Sequence, residues 1–410
     1  MMNPAETSER VPENQIHAFL IQVGVLLQMH GTPSHRLEAV LVQLSESLGV
    51  QGSFLYTPTA LICSVTDESG EATYVRRVTC GPVDVDKLIR FDEVLERLEA
   101  EELTVSQASD LMEEIAESPP PFPAWLTATA SALCCGLVAI FFRGSGYEAI
   151  AAGLVGLLIA LLEWAEKKLP TGRGLLEPVA GLCAALGALG LSRLGMPIDD
   201  RVVTLAALIV LLPGLTLTVA LTELAVGHLS AGVARIAGAI VSLLTMSIGV
   251  GLGWRLAGAW RDIPEVNPWS LPEWSIWPAI AIAPLLFAIV FRASWRQWLV
   301  IELVTVCGFT ASLFAGKYWG METGAFAGAL AVGIGSNLYA RLRNRPALVP
   351  LTPGILVLVP GSLGYRSLTA FINHETLAGV DAASSMLIVA AGLVGGILSA
   401  NIFLPPKRIL

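Results

Sequence analysis

The sequence predicts a polytopic α-helical membrane protein in which ten transmembrane helices form a 5+5 inverted repeat behind an N-terminal cytoplasmic α+β domain. Three observations lead to this prediction. The chain of 410 residues is 54% hydrophobic and 14% charged, whereas soluble domains carry about 25% charged residues. Its charges are divided unevenly along its length. Two apolar segments with the same Pro-Gly pair recur 147 residues apart.

The N-terminal part has the composition of an acidic, water-soluble domain. Residues 1–123 hold 7 basic and 20 acidic residues, while the remainder holds 18 and 14. An acidic surface repels nucleic acid and anionic lipid, so neither is an expected partner of this part. The polar start of the chain lacks a basic region followed by an apolar run. It therefore does not resemble a signal peptide, and a cytoplasmic domain is expected.

The soluble domain, residues 1–118, is predicted to run α-α-β-β-β-α-α. Apolar residues at helical spacing predict a first helix over 14–30, and a second helix follows and ends at Gly49. Thr104 is the expected N-cap of the last helix. The other elements are predicted near 52–57, 60–66 and 72–79 for the strands, and near 84–101 and 105–117 for the last two helices.

The reactive side chains of this domain match no catalytic or metal-binding pattern. The spacing of His30, His35 and Glu38 fits no metal-ligand motif, so exposed imidazoles at a helix–turn–helix junction are expected. The six cysteines include no C-x-x-C pair, which favours small buried side chains over a zinc site or disulfides. We therefore expect no cofactor, no metal and no enzymatic activity.

A proline-rich linker, residues 119–123, separates this domain from the membrane part, because prolines in series cannot continue a helix. Each crossing needs about 20 mostly apolar residues, and ten such segments follow. An acidic, tryptophan-rich external linker, residues 261–274, divides them into halves at residues 124–260 and 275–410. The ten predicted spans lie near 124–142, 146–164, 175–193, 202–225, 234–255, 274–291, 297–316, 321–340, 346–372 and 382–404.

Basic residues in the loops predict the orientation of these spans. With the N-terminus cytoplasmic, the inside loops and the C-terminus carry eleven lysines and arginines, Arg235 among them, and the outside loops carry six. This distribution obeys the positive-inside rule. The expected location is the cytoplasmic (inner) membrane, with both termini cytoplasmic and membrane lipids as partners.

Pro213-Gly214 and Pro360-Gly361 mark an internal repeat. Aligning them without a gap over 209–233 gives nine identities in 25 positions. Each pair lies in the fourth span of its half, and an odd number of spans per half forces the second half to be inverted. Inverted repeats with helices broken near the midplane are typical of secondary transporters, since lipid offers a broken helix no hydrogen-bond partners.

The two breaks predict a site for a zwitterionic amino acid. The half-helix after each break presents N–H groups and a positive dipole end to a carboxylate, and the carbonyls before the break suit an ammonium. The alternative is a pair of simple kinks packed closely by glycine, and for Asn337 a hydrogen bond between helices. The predicted substrate-binding residues are Pro213, Gly214, Thr216, Thr218, Thr222, Pro360, Gly361, Ser362, Tyr365, Arg366, Thr369 and Asn337.

Carboxylates inside a membrane are costly and indicate function. Glu223 lies one position past the repeated Thr222, and Glu302 lies a few residues into its span. These two are the candidate proton-coupling carboxylates. Glu148 lies at an expected outer helix end, where an interface-exposed carboxylate is the alternative.

Several segments resemble the threonine/serine exporter family, and the resemblance extends over about residues 15–405. It rests on HGTPSHRLEAVLVQLSESLGV, YTPTALICSV, VDVDKLIRFDEVLERL, PPFPAW and RNRPALVPLTPGILVLVPGSLGYRS. The resemblance implies export of threonine and serine, driven by the proton motive force, by the fused form of a two-subunit transporter. RGSGYEA stands where the family pattern has Gly-Gly followed by Asp, which makes Glu148 a third proton-coupling candidate.

Two alternatives stay open. The same architecture could export another small polar metabolite, such as a dicarboxylate, or the N-terminal domain could be the enzyme of a membrane-anchored hydrolase. No nucleotide-binding motif is present, so proton antiport by alternating access is expected rather than direct ATP drive. A second copy of the chain, contacting through the cytoplasmic domain, is a further expected partner.

Overall fold

The computed structural model describes residues 13–67, 70–166, 168, 174–257, 271–359, 361–372 and 374–407. They divide into two compact units, and the division falls between Pro119 and Pro120, inside the five residues predicted as the linker. Most of the predicted external linker, residues 261–274, lies outside the described residues, as does Pro360.

The N-terminal unit has the predicted order of helices and strands. Its elements are α1 (Glu13–Met29), α2 (Ser34–Ser47), β1 (Gln51–Thr57), β2 (Ala60–Asp67), β3 (Gly70–Arg77), α3 (Val85–Glu99) and α4 (Val105–Glu117). The strands form an antiparallel sheet in the order β1-β2-β3, with α2 packed on β1 and α1 on β2. Thr104 caps α4 in a reciprocal capping box with Gln107, as the sequence predicts.

Alternation along β2 places one face of the sheet in the core of this unit. Leu61, Cys63 and Val65 are buried, and burial raises the pKa of the Cys63 thiol to about 11. The expected burial of all cysteines is wrong for Cys80 and Cys307, whose side chains are exposed. Cys80 lies in the loop after β3, outside the alternation that buries Cys63.

The second unit consists of helices. They are α5 (Ala124–Phe141), α6 (Gly146–Glu166), α7 (Leu176–Arg193), α8 (Asp200–Ala207), α9 (Gly214–Ala225), α10 (Leu229–Ala257), α11 (Ile276–Val290), α12 (Trp298–Trp319), α13 (Met321–Arg343), α14 (Leu348–Leu356), α15 (Gly361–Ile372) and α16 (Thr376–Phe403). Each predicted span coincides with one helix, except for the fourth span of each half, which is divided into two.

Seven stretches of the described residues are long and apolar enough to cross a membrane. They are Ala124–Phe141, Gly146–Glu166, Leu229–Ala257, Glu273–Val290, Trp295–Trp319, Leu348–Phe371 and Thr376–Phe403. The predicted spans at 175–193, 202–225 and 321–340 do not combine the required length and hydropathy. Large apolar side chains such as Ile150 and Leu154 of α6 face outward, as expected of a surface solvated by lipid.

The two halves of this unit repeat the same helix packing. In the first half, α7 contacts α10, α9 contacts α10, and α8 contacts α5, α6 and α7. In the second half, α13 contacts α16, α15 contacts α16, and α14 contacts α11, α12 and α13. Between the halves, α5 packs on α11, α9 on α15, α10 on α15 and α16 on α9. Each of these contacts within α5–α10 thus has a counterpart within α11–α16.

Repeat-related glycines bring the closest of these helix pairs together. A Cβ added to Gly249 of α10 would lie 2.8 Å from the carbonyl carbon of Pro178 in α7. Gly396 lies 147 positions later, and a Cβ there would lie 2.8 Å from the amide nitrogen of Leu330 in α13. Small residues let membrane helices approach this closely, so both halves use the same glycine at the same contact.

Replacing Gly249 by alanine should lower the thermal stability of the purified protein. Overpacking of a close contact costs about 1–3 kcal/mol. Gly238 lies on the same helix with no atom within 4 Å of an added Cβ, so Gly238→Ala is the matched control. Thermal unfolding in detergent measures the difference, and equal unfolding temperatures for the two variants would contradict the assigned contact.

Candidate functional site

The candidate site lies where the fourth span of each half is broken. In the first half, α8 ends at Ala207 and α9 begins at Gly214, and Pro213 between them has a non-helical backbone (φ −77°, ψ 40°). In the second half, α14 ends at Leu356 and α15 begins at Gly361. Each break leaves the last carbonyls of one half-helix and the first amides of the next outside the helical hydrogen-bond ladder.

The two breaks touch each other at their glycines. A Cβ added to Gly361 would lie 3.1 Å from the Cα of Gly214, and one added to Gly214 would lie 3.2 Å from both the nitrogen and the Cα of Gly361. The same Cβ on Gly214 would also collide with the side chain of Val359. Two predicted residues from distant parts of the chain therefore meet, and we call this contact the crossing.

A cavity of about 120 Å³ lies beside the crossing and contains both glycines in its wall. Ser362, a predicted binding residue, also lines it. The other lining residues are Val138, Phe141, Phe142, Ile209, Leu212, Phe287, Phe309, Leu356, Val357 and Val359. This crossing cavity is apolar except for backbone groups and one hydroxyl, so the ends of the half-helices are its main polar feature.

The predicted threonine hydroxyls are hydrogen-bonded within their own helices. The hydroxyl of Thr218 donates to the carbonyl of Gly214 (3.2 Å), and that of Thr222 donates to the carbonyl of Thr218 (2.9 Å). In α15, the hydroxyl of Thr369 donates to the carbonyl of Tyr365 (3.0 Å). Thr216 is half-buried and is not part of the wall of the crossing cavity. A hydroxyl that donates in this way keeps its acceptor lone pairs for another donor.

Three predicted residues line a second cavity instead. Tyr365, Arg366 and Thr369 of α15 face an open cleft of about 360 Å³ between the halves. The cleft is also lined by Arg201, Val202, Leu205, Trp254, Ala370, Glu375, Ala378 and Ala382. We call it the arginine cleft, after Arg201 and Arg366. The guanidinium of Arg366 lies over the ring of Phe142, 5.2 Å from its centroid, and Phe142 belongs to the wall of the crossing cavity.

Glu223 forms a buried ion pair. Its carboxylate is fully buried at the end of α9, and Nε of Arg235 in α10 lies 3.0 Å from one oxygen and 3.1 Å from the other. The side chain of Arg235 is 14% exposed. The sequence interpretation treats Arg235 as an inside loop residue, and this is wrong because α10 begins at Leu229 and includes it.

Glu302 lies one turn into α12, and no ion pair joins it to a cation among the described residues. One of its carboxylate oxygens is buried and has no hydrogen-bond partner among the described residues. Thr305, three residues further along α12, is 1% exposed. Its hydroxyl oxygen also has no hydrogen-bond partner among the described residues. Thr305 also lies close to Gly354 of the half-helix α14, where an added Cβ would be 3.6 Å from its hydroxyl. Two polar groups with unused capacity therefore lie along one face of α12.

Glu148 has the contacts of a helix cap. The amide of Ser145 donates to its Oε2 (2.8 Å), the Ser145 hydroxyl is hydrogen-bonded to the same oxygen, and the amide of Asp199 donates to its Oε1 (2.9 Å). The residue is 2% exposed, so the alternative of an exposed interface carboxylate is wrong. Glu148 fixes the start of α6 to the segment that precedes α8.

Asn337 joins two helices and lies apart from both cavities. Its Nδ2 donates to Oδ1 of Asn401 (2.9 Å) and to the carbonyl of Leu404 (2.8 Å), which ties α13 to the end of α16. Both donor positions of its amide are thus used. These contacts favour the alternative of a hydrogen bond between helices.

In the N-terminal unit, His30 and His35 are half-buried rather than exposed. Nδ1 of His30 lies 2.7 Å from the carbonyl oxygen of Leu26, and the ring stacks edge-on against Phe91. Oε1 of Glu38 accepts a hydrogen bond from the amide of Tyr56. The predicted exposure is wrong for both residues, and for His30 the reason is that its ring packs against Phe91 of α3. Among the described residues, no cluster of histidine, cysteine and carboxylate groups could hold a metal ion.

Sequence reasoning missed Arg201, Trp254, Glu375 and Arg235. The first three lie at helix ends, where charged and aromatic residues are ordinarily interpreted as interface anchors. Glu223 could have been singled out from the repeat alignment, because it is the one acidic residue inside the aligned first copy and the second copy has Ala370 at the matching position. Arg235 lies two positions beyond the aligned segment, so only the structure identifies it as the partner of Glu223.

Two family models match the chain in succession. One, for threonine/serine exporters, covers residues 18–257, and a second, "Threonine/Serine exporter, ThrE", covers residues 278–403. The chain belongs to the threonine/serine exporter family. The two matches lie end to end in one polypeptide, consistent with a fused two-domain form of this exporter family.

Fungal membrane proteins are among the relatives of this family member. Pheromone-regulated membrane protein 10 of Kluyveromyces lactis is 26% identical over 424 residues, covering 96% of this chain and 44% of the relative. The protein of the same name in Saccharomyces cerevisiae is 27% identical, covering 96% and 54%. An uncharacterized protein of Schizosaccharomyces pombe is 26% identical, covering 86% and 48%. The chain thus spans about half the length of these relatives. No solved structure matches.

Adding a methyl group at the crossing should impair transport. Gly214→Ala and Gly361→Ala force apart backbones that now touch, and overpacking of about 1–3 kcal/mol corresponds to a shift of ~5- to 150-fold in a conformational equilibrium. Release of threonine from cells that express each variant measures the effect. Gly190→Ala in α7 is the control, because no atom lies within 4 Å of its added Cβ. Wild-type release by both crossing variants would reduce the breaks to simple kinks.

Proposed function

We propose that this chain is a secondary exporter that moves threonine and serine out of the cytoplasm by alternating access, in exchange for protons. The observation that carries the proposal is the crossing, where Gly214 and Gly361 bring two broken helices into backbone contact beside a cavity. Membership of the threonine/serine exporter family supports the substrate class. Irregular backbone at membrane depth is tolerated where it is buried in protein or lines such a cavity.

The proposed architecture is ten membrane spans in two inverted halves. The element-by-element packing correspondence of α5–α10 with α11–α16 supports the repeat. Each half has five membrane spans when α8–α9 and α14–α15 are each counted as one broken span. An odd number of spans requires the second half to be inverted. In this arrangement the N- and C-termini are cytoplasmic in the inner membrane. Inverted halves let one set of contacts open toward either side of the membrane in turn.

The substrate is proposed to bind between the half-helix ends at the crossing cavity. The first amides of α9 and α15 carry the positive end of the helix dipole and suit a carboxylate, and carbonyls at the ends of α8 and α14 suit an ammonium. Ser362 offers a hydroxyl, and the apolar wall suits a methyl group. None of the described residues that line this cavity is charged. A second carboxylate would find no cation there, so the lining favours a zwitterion over a dicarboxylate.

Glu302 and Glu223 are proposed to serve proton coupling in different ways. A charged carboxylate at membrane depth costs about 2.5–3.5 kcal/mol. Glu302 has one buried oxygen with no hydrogen-bond partner in the part of the chain that the structure describes, so it is suited to take up and release a proton. Glu223 is held by Arg235, and its protonation would break the ion pair between α9 and α10. A role of Glu148 in proton coupling stays a prediction, since its capping contacts account for its burial without such a role.

The N-terminal unit is proposed to regulate transport and to mediate self-association rather than to act as a hydrolase. Its buried histidine His17 is bound by Asp67 (2.9 Å) and by Tyr74 (3.2 Å), in contacts that hold α1 to the sheet. Removal of residues 1–123 tests this assignment. We expect the remaining chain to retain measurable export, whereas hydrolytic activity in the isolated domain together with loss of export would favour the membrane-anchored hydrolase.

Deleting the gene should lower threonine export from cells that have been fed a threonine dipeptide. Labelled threonine released into the medium is the measurement, and serine and succinate are followed in parallel. Restoring the intact gene is the control. Unchanged threonine release with retention of succinate in the deleted strain would show that the exported substrate is a dicarboxylate.

Substitutions of the two carboxylates should separate coupling from folding. Arg235→Gln removes the cation that faces the fully buried carboxylate of Glu223. Breaking a buried ion pair from one side costs about 3–5 kcal/mol, so the yield of folded protein should fall. Adding Glu223→Gln removes that charge and should restore the yield. Glu302→Gln should fold normally but lose the dependence of export on external pH. An unchanged pH dependence in Glu302→Gln, with lost dependence in the restored double variant, would assign coupling to Glu223 alone.

A further inference from the structure

The two halves differ in charge at one pair of repeat-related positions. The offset of 147 residues relates Glu223 to Ala370 and Arg235 to Ala382. In the first half these positions hold the buried ion pair between α9 and α10. In the second half they hold alanines, and both alanines line the arginine cleft. Where the first half is filled by two long side chains, the second half has an open space of about 360 Å³.

The wall of this space carries both signs of charge. Arg201 from the first turn of α8 and Arg366 from α15 are exposed in it, and so is Glu375, the residue before α16. Trp254 of α10 adds an aromatic face. The volume lies in the range of ~300–1,000 Å³ that small-molecule sites occupy. The wall carries two guanidinium groups and the carboxylate of Glu375, and the carboxylate of Asp200 lies close to Arg201, Trp254 and Tyr365. This mixture of charges matches a ligand with a carboxylate and an ammonium group.

Tyr365 provides an independent sign of a ligand. This residue is 3% exposed and lines the cleft. Its hydroxyl oxygen is buried and finds no hydrogen-bond partner among the residues that the structure describes. Buried polar groups are ordinarily paired, so an unpaired phenol beside a charged cleft is a group that a bound molecule would satisfy.

The backbone of Arg201 is held by hydrogen bonds that begin at Glu148. The amide of Asp199 donates to Oε1 of Glu148 (2.9 Å), and the side chain of Asp199 accepts from the amide of Arg201 (2.9 Å). The start of α8 is therefore fixed against the start of α6. This fixes the point on the backbone from which the Arg201 side chain reaches the wall of the cleft.

We propose that the arginine cleft is a second amino-acid site, separate from the crossing cavity, which binds the zwitterionic head group of a free α-amino acid. Arg201 and Arg366 take the carboxylate, and Glu375 takes the ammonium. Trp254 and the Tyr365 hydroxyl contact the side chain. A dicarboxylate is disfavoured, since Glu375 would repel its second carboxylate. This inference rests on the proposed function in one respect, which is that the ligand is an amino acid.

Binding of radiolabelled L-threonine to the purified full-length protein tests the proposal. Arg201→Gln combined with Arg366→Gln should weaken binding by at least ~10-fold, the scale of one lost charge-assisted contact. Glu375→Gln should weaken it by a smaller factor. Arg255→Gln is the matched control, because Arg255 is exposed next to Trp254 but does not line the cleft. Thermal unfolding verifies that each variant is folded.

Transplanting the first-half ion pair provides a second test that removes no charged group of the cleft. Ala370→Glu with Ala382→Arg should fill the space as Glu223 and Arg235 do, and should abolish threonine binding there. Ala370→Ser with Ala382→Ser changes the same positions without filling the cleft and should leave binding intact. Full binding by the filled variant would overturn the proposal.

The crossing variants distinguish failure of this site from failure of the proposed function. Gly361→Ala should stop export yet retain threonine binding at the cleft. Loss of binding in Gly361→Ala together with full binding in the double arginine variant would place the amino acid at the crossing alone and overturn the second site. No threonine binding to the wild-type protein, or displacement by succinate more readily than by serine, would also overturn it, whether or not export is confirmed.

Discussion

The membrane unit depends on one constraint, which is that backbone amides and carbonyls cannot be left without partners in lipid. Two of its helical spans are broken, so each break must be covered by protein. The structure does this by placing the two breaks against each other, with Gly214 and Gly361 in backbone contact. Contact at this distance excludes side chains at both positions. The surrounding helices α5, α11, α12 and α14 then supply the apolar wall of the adjoining cavity.

The two halves share a backbone arrangement but not a charge arrangement. Matching helices make matching contacts, and even the close glycines Gly249 and Gly396 correspond. At the ends of the broken spans the halves diverge, because Glu223 and Arg235 bridge one pair of helices while the related pair borders an open cleft. The correspondence between the halves therefore holds for the backbone and fails for these side chains.

Most predicted binding residues lie on the expected helices, yet their neighbours could not be foreseen. The Pro-Gly repeat correctly pointed to the crossing and its cavity, which involve Pro213, Gly214, Gly361 and Ser362. Tyr365, Arg366 and Thr369 instead line a separate cleft, and Asn337 binds Asn401 of another helix. A polar residue in an apolar helix can be satisfied by its own carbonyls, by a neighbouring helix or by a ligand, and the sequence pattern is the same in each case.

The sequence by itself determined the acidic N-terminal unit, the apolar segments, the two breaks and the repeat that relates them, because composition and periodicity are properties of contiguous residues. Tertiary structure alone decided that Glu148 caps a helix, that Arg235 neutralises Glu223, and that one buried oxygen of Glu302 meets no hydrogen-bond partner among the described residues. Each of these outcomes depends on which side chains approach from elsewhere in the chain. Asn337 and Asn401, 64 positions apart, meet because α13 packs on α16, and the packing of whole helices selects such pairs.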